Sequence, residues 1–137
     1  KGGNEIPDSL KNHVVETGRV TFTELYQEVE NCDFILTSFQ ADNDDHAFYR
    51  TTGTSGSFQL SYGFCRPTIV QADFAKQTVL NNANSLLYRE DETYFDAMLS
   101  AVDMSVQAYE EMQGALEQSA TTLYATSLDE LKELTDA

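Results

Sequence analysis

Residues 51–57 read Thr-Thr-Gly-Thr-Ser-Gly-Ser, a run of hydroxyls and glycines with almost no bulk, and the aromatic-rich segment Phe58–Cys65 follows directly. Such a run suits a helix start. There the first turn presents up to four unpaired backbone N–H groups and about half a positive charge, which together favour an anion. Gly53 and Gly56 let a ligand approach the backbone, while Thr54, Ser55 and Ser57 add hydroxyl donors. A diphosphate matches this chemistry. The competing reading is an ordinary cap, with Thr54 or Ser55 closing a core helix and nothing bound.

A second cluster is acidic. Asp42, Asn43 and Asp44 spell a D-x-D, with Asp45 and His46 beside them. Oxygen-rich sets of this kind hold Mg²⁺ or Mn²⁺, yet Asp and Asn are also the default turn residues. A solvated loop is the expectation, and no metal ligand is assigned. His46 has no nucleophile beside it, and His13 marks the edge of an apolar run. Arg89–Glu92 reads as a turn and N-cap, and the tyrosines of the later segments as core. No catalytic residue is assigned. Cys32 and Cys65 sit in apolar stretches without metal-ligand spacing, as buried free thiols of a cytoplasmic protein do.

The chain of 137 residues, 41% hydrophobic, is one domain's worth of polypeptide, and residues 1–137 are read as a single unit. It contains no run of roughly 18 apolar residues that would span a membrane, and its start has neither the apolar core nor the cleavage site of a signal peptide. The absence of an initial Met suggests a fragment that lacks an N-terminal domain. The formal charge is −15, unevenly spread: twelve acidic residues face one basic residue, Lys132, from Glu90 onward. Four of the eight basic residues fall between positions 50 and 89: Arg50, Arg66, Lys76 and Arg89. Such a chain repels a phosphate backbone, which argues against nucleic acid as a partner. One small anion held by local donors is compatible with it.

The elements that must position these residues alternate. "HVVET" (13–17) predicts a short strand ended by Gly18. Thr21 and Glu24 form a capping-box pair ahead of a helix that buries Phe22, Leu25, Tyr26 and Val29. Strands are predicted over 33–39 and over 67–71, where Pro67 suits a first position that needs no ladder donor. Helices are expected over 55–64 and 74–80, then a turn at 81–85 and a strand ending at Tyr88. Asp91 is read as the N-cap of a helix that buries Tyr94, Ala97, Met98, Ala101 and Val102. A helix over 105–124 carries Tyr109, Met112, Leu116 and Leu123 on one side, and a separate one starts at Ser127. Strand and helix alternating in this way predict βαβ units and a parallel sheet.

Three segments in order carry a resemblance: "VVETGRVTFTELYQEVENCDFILTSF", "TSGSFQLSYGFCRPTIV" and "NNANSLLYREDE". From about Val14 to Ala101 the chain resembles the C-terminal, nucleotide-sugar-binding domain of glycosyltransferases with the two-domain GT-B fold. The resemblance implies an α/β, Rossmann-like parallel sheet with helices on both faces. It implies a nucleoside diphosphate sugar as donor substrate with no further cofactor, and transfer to a carbohydrate or lipid-linked acceptor. A lipid-linked acceptor leaves peripheral membrane association open to the full-length protein. Ser55, Gly56 and Ser57, with Thr54 beside them, would meet the diphosphate; Arg50 would face the phosphates or sugar; Asn84 would shape the donor pocket, although Ser85 stands at the usual Gly. The paired glutamates of many such enzymes fall here on Thr52 and Leu60, so their role does not carry over. Lacking its acceptor domain, the chain is expected to be inactive by itself. The rival reading is a non-catalytic nucleotide-binding or interaction module of the same architecture.

Overall fold

The computed structural model describes residues 6–39, 43–51, 55–89 and 91–135. Three strands, β1 (Ile35–Leu36), β2 (Thr68–Gln71) and β3 (Ser85–Tyr88), form a parallel sheet in the order β1-β2-β3. Ile35 pairs with Thr68, and the β2–β3 register runs from Thr68 opposite Ser85 to Gln71 opposite Tyr88. Every residue of β2 is buried. A central strand covered on both sides needs that composition, and "TIVQ" after Pro67 supplies it.

Strand alternation divides the core in two. On one face Val70 and Leu87 meet Phe58 of α3 (Gly56–Phe64), Phe74 and Ala75 of α4 (Ala72–Ala75), and Leu116 of α6 (Val106–Thr135). On the other, Ile69, Leu86 and Tyr88 meet Tyr94, Ala97 and Ala101 of α5 (Asp91–Val102). The protein is therefore α/β, with helices on both faces of a small parallel sheet. Phe39, just past β1, stacks on Phe74 at 4.9 Å and on Tyr49 at 5.0 Å, which ties the loop after β1 into the first face.

The first helix, α1 (Phe22–Asn31), is capped as expected. Thr21 Oγ1 accepts from the Glu24 N–H at 3.3 Å, and the Glu24 carboxylate accepts from the Thr21 N–H at 2.8 Å. These bonds hold the Glu24 carboxyl below its usual range. A depressed carboxyl contributes above its unfolded pKa and loses the contribution as acid protonates it, so the box is fully formed at neutral pH. Thr21→Ala should lower the unfolding free energy by about 0.5–2 kcal/mol in urea titration, with Thr21→Ser close to wild type. A loss below the error of that titration would mean that the helix start is held by packing alone.

Several sequence expectations change in the folded chain. Residues 14–18 form no strand, and Val15 is 88% exposed. A β-branched run becomes a strand only where a partner and a covered face exist. Gly18 does make the expected turn, at a φ of 61°. The predicted strand over 33–39 shortens to two residues, extended by one bond from the Thr37 N–H to the Ile69 carbonyl. On α1 only Val29 is buried; Phe22 and Tyr26 stay exposed, although the Tyr26 ring contacts Phe64 at 5.4 Å. The helix expected over 74–80 starts earlier and is shorter, because Gln71 Oε1 accepts from the Asp73 N–H and caps it directly at the end of β2. A helix that the sequence reading did not foresee, α2 (Ala47–Thr51), follows a 3₁₀ turn at Asp44–His46.

Helix α5 begins at Asp91 rather than after it; it buries Ala97, half-buries Tyr94 and Ala101, and leaves Met98 and Val102 exposed. The break expected between residues 124 and 127 does not occur, and α6 runs unbroken for 30 residues. Its first half seats Leu116 in the core, while residues 121–135 are exposed, with Leu123, Tyr124 and Ser127 flanking a cavity that Phe58 and Tyr62 of α3 also line. Both cysteines are half-buried rather than buried. No helix among the described residues is long and apolar enough to cross a membrane.

Candidate functional site

Parallel open sheets place ligands at the carboxyl ends of their strands, where loops meet helix starts. Here that end is tied together by one side chain. Gln71, the last residue of β2, accepts the Asp73 N–H at 2.7 Å through Oε1 and donates to the Arg89 carbonyl at 3.1 Å through Nε2. It thereby fixes the start of α4 against the residue that follows β3. On α4 and its last turn, Asp73 pairs with Lys76 at 2.6 Å. The bond from Lys76 is the main reason that the Asp73 carboxyl lies below its usual range, and Arg50, from α2, adds to the effect through its charge.

Two cavities of about 510 Å³ each open side by side here. Ala47, Phe48, Arg50, Asp73 and Lys76 line the first; the second is bounded by Gln71, Asp73, Lys76, Asn82 and Arg89 among others. Asp73 and Lys76 form their common wall. Arg50 and Arg89 have no carboxylate within ion-pair distance among the described residues, whereas Lys11, Lys76 and Lys132 each have one. In a chain of net charge −15, Arg89, unpaired among the described residues, and Arg50, which meets Asp73 only through its longer-range charge, stand beside one cavity wall and make a local cationic site.

The residues singled out from the sequence distribute as follows. Ser55 is buried and is the N-cap of α3, its Oγ accepting from the Ser57 N–H at 3.2 Å while its carbonyl accepts from Phe58 and Gln59. Its hydroxyl therefore serves the helix. Gly56 is exposed at the first helical position, and a Cβ placed there would meet no atom within 4 Å. Packing among the described residues thus gives no reason for a glycine at this position. Ser57 is half-buried. Thr54 and Gly53 lie outside the described residues. Neither of the two cavities is lined by Ser55, Gly56 or Ser57, while Arg50 lines one of them.

Asn84 is fully buried and its amide is committed. Its Oδ1 accepts from the Asn81 N–H and the Ser85 hydroxyl, and its Nδ2 donates to the Val79 carbonyl and to Ser119 Oγ of α6. It can shape a pocket only through the turn that it holds. Asp73, Lys76 and Arg89 were not assigned to the site from sequence, although the concentration of basic residues between 50 and 89 was the signal that could have found them.

No family model, curated protein or solved structure matches this chain. The remaining candidate is the acidic loop. Asn43 Oδ1 accepts from the Asp45 N–H at 3.0 Å and so caps the 3₁₀ turn, Asp44 and Asp45 are exposed, and Asp42 lies outside the described residues. His46 sets its ring edge against Phe39 at 5.7 Å. Among the described residues, no group of three His, Cys, Asp or Glu side chains is arranged to hold a metal. Both cysteine thiols are pushed up in pKa, chiefly by burial.

Proposed function

We propose that the chain is the donor-binding half of a glycosyltransferase, a GT-B-type Rossmann-like domain that binds a nucleoside diphosphate sugar at the carboxyl end of its sheet. The observation that carries this reading is the cavity between α2 and α4, where Arg50 and Lys76 face one space in an otherwise acidic chain. A diphosphate bound there would meet a fork of guanidinium donors from Arg50 and the ammonium of Lys76, with Asp73 beside them. During transfer the leaving diphosphate gains charge, and fixed cations that are in place beforehand stabilise it without reorganisation. The sugar-transfer part of the proposal rests on the resemblance in the three segments from Val14 to Ala101. The acceptor, carbohydrate or lipid-linked, would be bound by a domain outside this chain.

The Arg50 and Lys76 cations already complement the phosphates, so no divalent ion is needed. Calorimetric titration with UDP, GDP, ADP and dTDP should give binding for at least one diphosphate, unchanged by EDTA. Asp44→Ala should leave that affinity within about threefold, or roughly 0.6 kcal/mol. Absence of binding across the panel, or binding abolished by EDTA, would overturn the proposal. A second reading is favoured by one specific observation, Thr52 and Leu60 at the positions of the family's glutamate pair. A non-catalytic nucleotide-binding module would bind the same diphosphate, and the longer protein would then show no transferase activity.

A further inference from the structure

We propose that the second cavity selects a donor whose sugar bears a carboxylate, a nucleoside diphosphate uronate, with Arg89 as its counterion. The inference rests on the reading of the neighbouring cavity as the diphosphate site. The two cavities share the wall made by Asp73 and Lys76 and end on different cations, Arg50 in one and Arg89 in the other. A ligand lying across that wall meets a cation, then an acceptor, then a second cation. A uronate donor offers the matching order of phosphate, hydroxyls and carboxylate.

The acceptor in the middle is secure. Asp73 is held ionised chiefly by Lys76, with smaller contributions from the Gln71 side chain and the Arg50 charge, and a carboxylate keeps lone pairs beyond those contacts for sugar hydroxyls. Asn82, exposed at the rim of the second cavity, offers an amide to further hydroxyls. Arg89 is positioned through its backbone on both sides: its carbonyl accepts from Gln71 and its N–H donates to Thr93 Oγ1 at 3.1 Å. Its guanidinium has no ion-pair partner among the described residues, although the chain carries 23 acidic residues. A neutral hexose would leave that group without use, whereas a carboxylate pairs with it bidentately. The overall charge of −15 disfavours any additional anion, so a preference for the uronate cannot arise from the general field and must be local.

The test compares donors that differ only in the carboxylate: UDP-glucose with UDP-glucuronate, and GDP-mannose with GDP-mannuronate. Calorimetry on the wild-type chain should show the uronate of the accepted nucleotide binding about five- to tenfold more tightly than its neutral counterpart. Arg89→Gln should abolish that preference while leaving the affinity for the bare diphosphate within about twofold. Equal affinity for both members of a pair, or a preference that survives Arg89→Gln, would overturn the inference and leave the diphosphate site standing. Failure of the bare diphosphates and of all four donors to bind would overturn the diphosphate site itself, and this inference with it.

Discussion

Phe74→Ala is expected to lower the unfolding free energy by about 3–5 kcal/mol, the largest effect of any single substitution considered for this chain. Phe74 is 1% exposed and belongs to a four-residue helix, yet it lies at the centre of the larger core, among Phe58, Val70 and Leu116, with the Phe39 ring stacked on it at 4.9 Å. Removing the ring leaves a cavity that its neighbours cannot easily fill. The backbone of α4 is pinned at its start by the Gln71 cap, and Val70 sits on the central strand between two partners. Phe74→Leu should recover most of the loss, since it restores volume without the stacking. Urea titration measures both, and an unchanged m value would show that the denatured state is not the cause. A loss under about 1 kcal/mol for the alanine variant would mean that the core collapses onto the site and is not held rigid by the Gln71 cap and the central strand.

The second large effect is on binding. Arg50→Gln combined with Lys76→Gln should weaken nucleoside diphosphate binding by about 100-fold or more, close to 3 kcal/mol, because each replaces a charge-assisted bond by a neutral one. Arg50→Gln alone should account for the greater part, since Lys76 already shares its charge with Asp73. Stability should hardly change: the Lys76–Asp73 pair is largely exposed, and pairs of that kind contribute little to folding. The remaining affinity should also depend less on salt than that of the wild type. An unchanged dissociation constant in the double variant would move the ligand away from this cavity.

How far the sequence disclosed these features depended on whether the deciding interaction was local. Strand β2 was legible because Pro67 and a β-branched run coincide, and α3 because Ser55 caps a segment with large apolar groups. The capping box of α1 is likewise complete within four residues. "HVVET" has the same composition as a strand, but pairing is decided by what lies beside it, and β1 is paired only with β2. Ser127 and Glu130 have the spacing of a capping box, yet no Gly or Pro precedes them to end the helix, so α6 continues through both. At the candidate site, Arg50 and the start of α3 were marked by the resemblance. The meeting of Arg50 with Asp73 and Lys76 was not, because it depends on α2 packing against α4, and α2 had no signal beyond a polar loop. Asn84 was recognised as special, but as a pocket residue rather than as the buried clamp of its own turn.

The two-residue length of β1 has one more consequence. A sheet edge is a row of unpaired donors and acceptors onto which a foreign strand can add, and a long, flat, apolar edge invites aggregation. At Ile35–Leu36 that row is too short to template a stable addition, even though Leu36 is exposed beside it. At the opposite edge, β3 stops at Tyr88 and Arg89 sets a charge at its end. The small sheet therefore limits colloidal stickiness through the brevity of one edge and the charge that closes the other, and the net charge of −15 adds repulsion between copies at any distance within the screening length.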